Sequence, residues 1–305
     1  MTTTRFDFHS DPGPRGHQED EARALILRQT APSACEVPVL VIADGAGGHN
    51  AGEVASAICT RLVPSFVAAS LLARPPARDH GAFVDGLAET LVQANLAVVQ
   101  AANASRATSG MASTVVCAVL VEDRCIVAWA GDSRAYLYRP TTRQLLRLTH
   151  DHSEIQRLVD RELLAPAAAS THPLAHTIYR YVGQPEGFVP EIRIAPLAPG
   201  DLVLCCTDGV TDVLGDEAIA RIVESWLPDT DDSQGLSRAV VQAALDAGTT
   251  DNTTVLCCLH DPPASPRKAF AETRTGAYPE ALISVFESLK ENDHATPHPP
   301  KPAAG

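Results

Sequence analysis

Apolar, β-branched runs that stop abruptly at an aspartate constrain this chain more than any other feature. Val37 to Ala43 runs into Asp44, and Leu202 to Thr207 runs into Asp208. Asp251-Asn252 stands just before a third run, Val255 to Leu259. Short continuous apolar runs bounded by turn residues read as buried strands. Carboxylates at the ends of such strands can converge on one spot, and converging carboxylates need cations. Glu19-Asp20 and Gly131-Asp132-Ser133-Arg134 add two further acidic signatures. Each one alone is compatible with an ordinary turn or cap. Together they point to a metal-dependent enzyme. Mg²⁺ and Mn²⁺ favour the carboxylate, carbonyl and water oxygens that such a set supplies. Gly45, Gly47 and Gly48 after Asp44 let the backbone bend sharply and bring a carbonyl close to a cation.

The remaining elements follow from periodicity. Long Ala-rich helices are expected over about 51–73 and 81–104. Strands follow over 113–121, 124–130, 134–139 and 144–148. Residues 150–183 are mixed in polarity, hold His150, His152, His172 and His176, and are interrupted by Pro166 and Pro173. They read as short helices and loops over the surface, with Thr149-x-Asp151-x-Ser153 as a capped helix start. Strands resume at 187–194 and 201–207, helices at 216–226 and 235–247, and a last strand at 253–259. Clustered strands and paired helices imply α+β layers with mostly antiparallel sheets rather than strict βαβ alternation.

The chain has 305 residues, 45% of them hydrophobic, enough for one large or two small domains. Its net charge of −13 disfavours nucleic acid and anionic membrane surfaces as partners. No apolar run is read as a membrane span, and Met1 to Phe6 lacks a signal-peptide core, so the expected location is cytoplasmic. None of the eight cysteines forms a C-x-x-C pair. They read as small buried side chains in a reducing compartment. Residues 262–305 hold eight of the 23 prolines, and their charges cancel. The expected division is a catalytic domain over 1–261 and a Pro-rich tail over 262–305, with one amphipathic helix at 278–289.

Six signatures in order carry a resemblance. Arg15-x-x-x-Glu19-Asp20, Asp44-Gly45-Ala46-Gly47-Gly48, Gly110-Met111-Ala112-Ser113-Thr114, Gly131-Asp132-Ser133-Arg134, Thr207-Asp208-Gly209 and Asp251-Asn252 together resemble the PPM (protein phosphatase 2C-like) family. Its members are metal-dependent protein Ser/Thr phosphatases, and the compact bacterial ones are the most similar. The resemblance spans about residues 5–260. It implies a four-layer α-β-β-α sandwich with a binuclear Mn²⁺ or Mg²⁺ site at one end. By position Asp44 would bridge the two ions, the Gly45 carbonyl would bind one, and Asp208 and Asp251 the other. Glu19 and Asp20 would hold the metal-bound waters or bind directly, Asp132 with Asp208 would serve a third ion, and Arg15 would grip the substrate phosphate.

The implied reaction is hydrolysis of phosphoserine and phosphothreonine by direct attack of a metal-bridging hydroxide. Phosphomonoester hydrolysis is among the slowest uncatalysed reactions. Two ions about 3.5–4 Å apart acidify a shared water and neutralise the phosphoryl oxygens. The implied partners are phosphorylated proteins, including a bacterial Ser/Thr kinase and its targets, and the chain is expected to be a monomer. Some relatives carry a histidine after the Asp-Gly as a proposed general acid. Here Ala46 stands there, so the resemblance assigns no proton donor; His49 reads as a loop or cap residue. Gln18 and Ala112 depart from the usual Asn and Gly without removing a ligand. The segment 150–183 aligns with the family's flap, and its histidines read as flap surface and hydrogen-bonding residues. The alternatives are a catalytically silent binding or sensing domain of the same fold, and an active enzyme directed at a single regulator.

Overall fold

Side-chain alternation along the strands decides the layering. The computed structural model describes residues 5–29, 35–46, 51–73, 80–121, 123–165, 168, 172–226 and 235–260. Strand β3 (Cys35–Ala46) sends Val37, Val39, Val41 and Ala43 to one face and Leu40 and Ile42 to the other. That is the two-residue period of an extended chain. The first set packs under helices α1 (Gly52–Ala73) and α2 (His80–Ala104), against Cys59, Val63, Phe83 and Leu87. The second set faces another sheet, meeting Leu137, Val203, Cys205 and Leu256.

One sheet runs β2 (Asp20–Gln29), β3, β5 (Val115–Val121), β6 (Arg124–Ala130) and β9 (Glu191–Pro196), with β4 (Ala112–Ser113) added on β3. The other runs β1 (Arg5–Asp11), β11 (Thr253–Leu259), β10 (Leu202–Cys206), β7 (Arg134–Arg139) and β8 (Gln144–Arg147). All the described pairings are antiparallel. Helices α5 (Asp216–Trp226) and α6 (Leu236–Asp246) cover the outer face of the second sheet through Ile219, Val223, Val240 and Val241. The short helices α3 (Glu154–Asp160) and α4 (Asp208–Thr211) complete the set. Three apolar layers thus separate four layers of secondary structure, as the resemblance implied. Seven of the cysteines are free and buried within these layers.

Register carries the acidic signatures to one end. Asp20 lies opposite Asp44, Gly45 opposite Ser113, and Ala130 opposite Val115. Cys206, two residues before Asp208, lies opposite both Val255 and Arg134. Antiparallel pairing brings the end of one strand beside the start of the next, so residues far apart in sequence share one rim.

Several boundaries differ from the sequence reading. Strands β1 and β2 were not anticipated; both are sheet edges, where polar residues interrupt the apolar signal. The expected strand 113–121 is two strands that break at Thr114, and β9 begins later, at Glu191. Helices α1 and α2 are long and apolar enough to cross a membrane, contrary to the expectation that no run approaches that length. Both pack against the sheet as core helices. Gly47, Gly48, His49, the boundary at 261 and the tail helix lie outside the described residues.

Candidate metal centre

The rim is built from loops that follow or precede strands, and each is fixed by backbone bonds. The Asp44 N–H donates to Thr114 Oγ1 at 3.0 Å, and its carbonyl accepts from Thr114 N at 2.8 Å and Ser113 Oγ at 3.0 Å. The break between β4 and β5 at Thr114 is therefore the clamp on Asp44. The Gly45 N–H donates to the Glu19 carbonyl at 3.1 Å. A Cβ on Gly45 would overlap the Gly52 carbonyl at the start of α1, so only glycine allows that approach. A Cβ on Gly209 would likewise overlap the Asn252 carbonyl.

Asn252 ties three segments together. Its Oδ1 accepts from the Glu19 N–H at 2.8 Å, and its Nδ2 donates to the carbonyls of Pro12 and His17 at 2.9 and 3.0 Å. Asp251 Oδ1 accepts from the Asn252 N–H at 2.8 Å. Arg15 sits in the turn after β1 and donates from Nη2 to Asp251 Oδ2 at 2.7 Å and from Nε to the Thr250 carbonyl at 2.9 Å. Its side chain stays 44% exposed while its guanidinium is paired with Asp251.

The carboxylates are crowded and incompletely satisfied. Asp20 Oδ2 accepts from Thr207 Oγ1 at 2.8 Å, but Asp20 Oδ1, Glu19 Oε1 and Asp208 Oδ1 are buried without a hydrogen-bond partner. Buried polar oxygens without partners are costly, and several in one place indicate a ligand. Burial, and then the neighbouring charges of Asp208, Asp20 and Asp132, push the Asp44 carboxyl well above the usual range. Asp132 is raised in the same way by burial, Asp208 and Asp151. Burial raises Asp20 to about 7 against the opposing bonds from Thr254 and Thr207, with Asp208 and Asp251 adding to the shift. Asp208 is raised by burial and then by Asp251. Like charges in a dry site resist ionising together. A divalent ion reverses that balance, and an all-oxygen set of this kind fits Mg²⁺ or Mn²⁺. Asp44, Asp20, Asp132, Asp208 and Asp251 thus act on one another electrostatically, with Glu19 bonded into the same frame and Arg15 on its edge.

Three further residues border this centre: Asp212, which was not singled out from the sequence, and His152 and His176, which were read as flap surface and hydrogen-bonding residues. Asp212, one turn after Asp208, is held up to about 7 by burial and by Asp208. The signal was an Asp-x-x-x-Asp spacing that a helix brings to one face. His176 comes from the flap, with Nδ1 3.4 Å from Asp212 Oδ2. His152 corrects the reading of the flap histidines as surface groups, because it is completely buried. Its ring stacks on Trp129 with centroids 5.9 Å apart, and Nδ1 accepts from the Gly131 N–H at 3.1 Å. The His152 N–H also donates to the Gly131 carbonyl at 3.0 Å, so the residue before Asp132 is gripped on both sides. Burial and the Arg180 charge push this imidazole down to about 4, so it is neutral near pH 7. Gly131 itself has φ +114°, a backbone state that favours glycine. The capped helix start is present as read, with Ser153 Oγ accepting from the Gln156 N–H.

Comparison with known proteins gives a consistent result. Residues 29–247 match the family described as protein phosphatase 2C. The match contains Asp44, Asp132 and Asp208 and leaves Arg15, Glu19, Asp20 and Asp251 outside. The serine/threonine phosphatase stp of Listeria monocytogenes is 27% identical over 256 residues, covering 84% of this chain and 95% of that one. Protein phosphatase PhpP of Streptococcus pneumoniae is 31% identical, covering 71% and 83%. Among solved structures, a bacterial serine phosphatase superimposes with a TM-score of 0.74 at 29% identity, covering 86% of this chain and all of that one. The catalytic domain of PstP in complex with two manganese ions gives 0.66 at 26%, also covering 86% and 100%.

Proposed function

Because the chain belongs to the protein phosphatase 2C family and is a protein serine/threonine phosphatase, we propose that the rim carboxylates hold two divalent ions, Mn²⁺ or Mg²⁺, that serve phosphoester hydrolysis. The buried oxygens without partners on the rim carboxylates of Glu19, Asp20 and Asp208 carry this reading. Asp44 is the candidate bridging ligand, with the Gly45 carbonyl beside it, and Asp208 and Asp251 are candidates for the second ion. Asp132 with Asp208 is the candidate for a third. Glu19 and Asp20 are candidates for ordering water, and the Thr207 hydroxyl on Asp20 Oδ2 fixes the orientation of that carboxylate. Ions in such a site acidify water and neutralise phosphoryl oxygens.

The chain's own groups supply the rest. Arg15 offers a planar, permanently charged fork that suits a phosphate dianion. Its bond to Asp251 places that fork beside the proposed ligands. The substrates are phosphoserine and phosphothreonine in proteins, and a Ser/Thr kinase and its targets are the proposed physiological setting. Named relatives are phosphatases throughout, which favours an active enzyme over a silent binding domain.

Hydrolysis of a phosphothreonine peptide should require Mn²⁺ or Mg²⁺ and should be lost in Asp44→Ala. Wild-type protein that hydrolyses nothing with either ion would end the enzymatic reading.

A further inference from the structure

Just ahead of the acidic pair Glu19-Asp20, Gln18 stands where Asn is usual, and the longer side chain has two partners. Its Oε1 accepts from the Asp20 N–H at 3.2 Å, and its Nε2 donates to Ser10 Oγ on β1 at 2.7 Å. A backbone N–H needs an acceptor, so the amide oxygen belongs to Asp20 and the amide nitrogen is left for Ser10. The two bonds reach from the end of β1 to the start of β2. An Asn, shorter by a methylene, cannot make both.

A chain of hydroxyls continues from Ser10. Ser10 and Thr254 lie opposite each other in the β1–β11 pairing, and their hydroxyl oxygens are 2.8 Å apart. The Thr254 side chain bonds in turn to the Asp20 carboxyl. The two ends fix the direction of this chain. An amide N–H only donates, and a carboxylate only accepts. The protons therefore point from Gln18 to Ser10, from Ser10 to Thr254 and from Thr254 to Asp20. Thr207 closes the frame, because its hydroxyl accepts from the Thr254 N–H at 3.1 Å and donates to Asp20 Oδ2 at 2.8 Å. Thr207 and Thr254 are both buried, which keeps solvent from competing for these bonds. Asp20 Oδ1 remains buried without a partner, the oxygen open to a bound water or ion.

We infer that Gln18 is a positioning residue: through Ser10 and Thr254 it orients the Asp20 carboxylate so that Oδ1 is held ready for the divalent ions and their waters. The inference rests on the proposed metal centre, in which Asp20 orders water. Groups that orient a ligand or its water set metal affinity by about 10–100-fold.

Mn²⁺ binding to the full chain, measured by calorimetry, tests this. Gln18→Asn and Ser10→Ala should each weaken binding about tenfold. The double variant should also lose about tenfold rather than about a hundredfold, since both changes cut the same chain. Ser10→Thr keeps the hydroxyl and should bind as the wild type does. A second readout needs no metal. In EDTA, the Asp20 amide should exchange its hydrogen faster in Ser10→Ala, because Gln18 loses the partner that holds it in place. Wild-type affinity in either single variant, losses that multiply in the double variant, Ser10→Thr behaving like Ser10→Ala, or an unaltered Asp20 amide in Ser10→Ala overturns the inference. Wild type that binds no Mn²⁺ would sink the metal centre and this role of Asp20 together. Full binding by wild type and variants alike sinks the Gln18 inference alone.

Discussion

At Asp208, two demands meet in one side chain. Its Oδ1 is buried among like charges without a partner, so the folded chain bears a cost that bound ions remove. Replacing it with the neutral isostere should separate the two effects. Asp208→Asn is expected to raise the melting temperature in chelator while abolishing the further rise that Mn²⁺ gives the wild type. Melting curves with EDTA and with Mn²⁺ check this. The sign of the pH dependence follows from Asp20, whose carboxyl is lifted from 3.8 to about 7. Between those values the folded state binds more protons than the unfolded chain. Stability of the metal-free protein therefore falls as pH rises through that window, and the full penalty applies above about pH 7. In EDTA the melting temperature should be higher at pH 5.5 than at pH 8. Asp20→Asn should flatten that difference; an unchanged slope would show that Asp20 does not set it.

At the scale of elements, close backbone approach matters more than side-chain bulk. β3 ends against the first turn of α1, with Gly45 and Gly52 in contact. Gly45→Ala should push α1 off the strand and cost roughly 3 kcal/mol. Chemical denaturation should show the loss, and Mn²⁺ affinity should drop with it because Asp44 is the next residue. Stability and metal binding equal to wild type would refute the close contact. The strand ends were legible because continuous apolar runs mark buried strands and the acidic residues stood at their limits. β1 and β2 were not, since Glu21, Arg23 and Arg28 interrupt the pattern in β2 and His9 and Ser10 do so in β1. An edge strand hydrogen-bonds on one side alone and tolerates such residues. His152 was misjudged because its neighbours in sequence are polar, while its burial comes from Trp129 and Tyr179, contacts that no local pattern encodes.

For the whole molecule, three apolar layers hold two antiparallel sheets between helices. Leu40 and Ile42 reach across to the other sheet, so the rim depends on how the two sheets are held together. Residues 262–305 carry no net charge and hold no residue of the proposed centre. Deleting them should leave Mn²⁺-dependent hydrolysis of p-nitrophenyl phosphate within about twofold, in keeping with the near-neutral effect of most changes away from a site. A collapse of activity in that assay would place part of the tail in the working enzyme.

The sequence by itself determined the buried strands, the carboxylates at their ends, and the family to which those motifs belong. Each of these is local, written in runs of a few residues and in the order of short motifs. The tertiary structure alone decided that Arg15 bonds to Asp251, that Thr114 clamps Asp44, and that flap residue His176 meets Asp212. Antiparallel register and sheet-on-sheet packing create those contacts across long stretches of chain. Local propensity carries no trace of a partner that distance in sequence conceals.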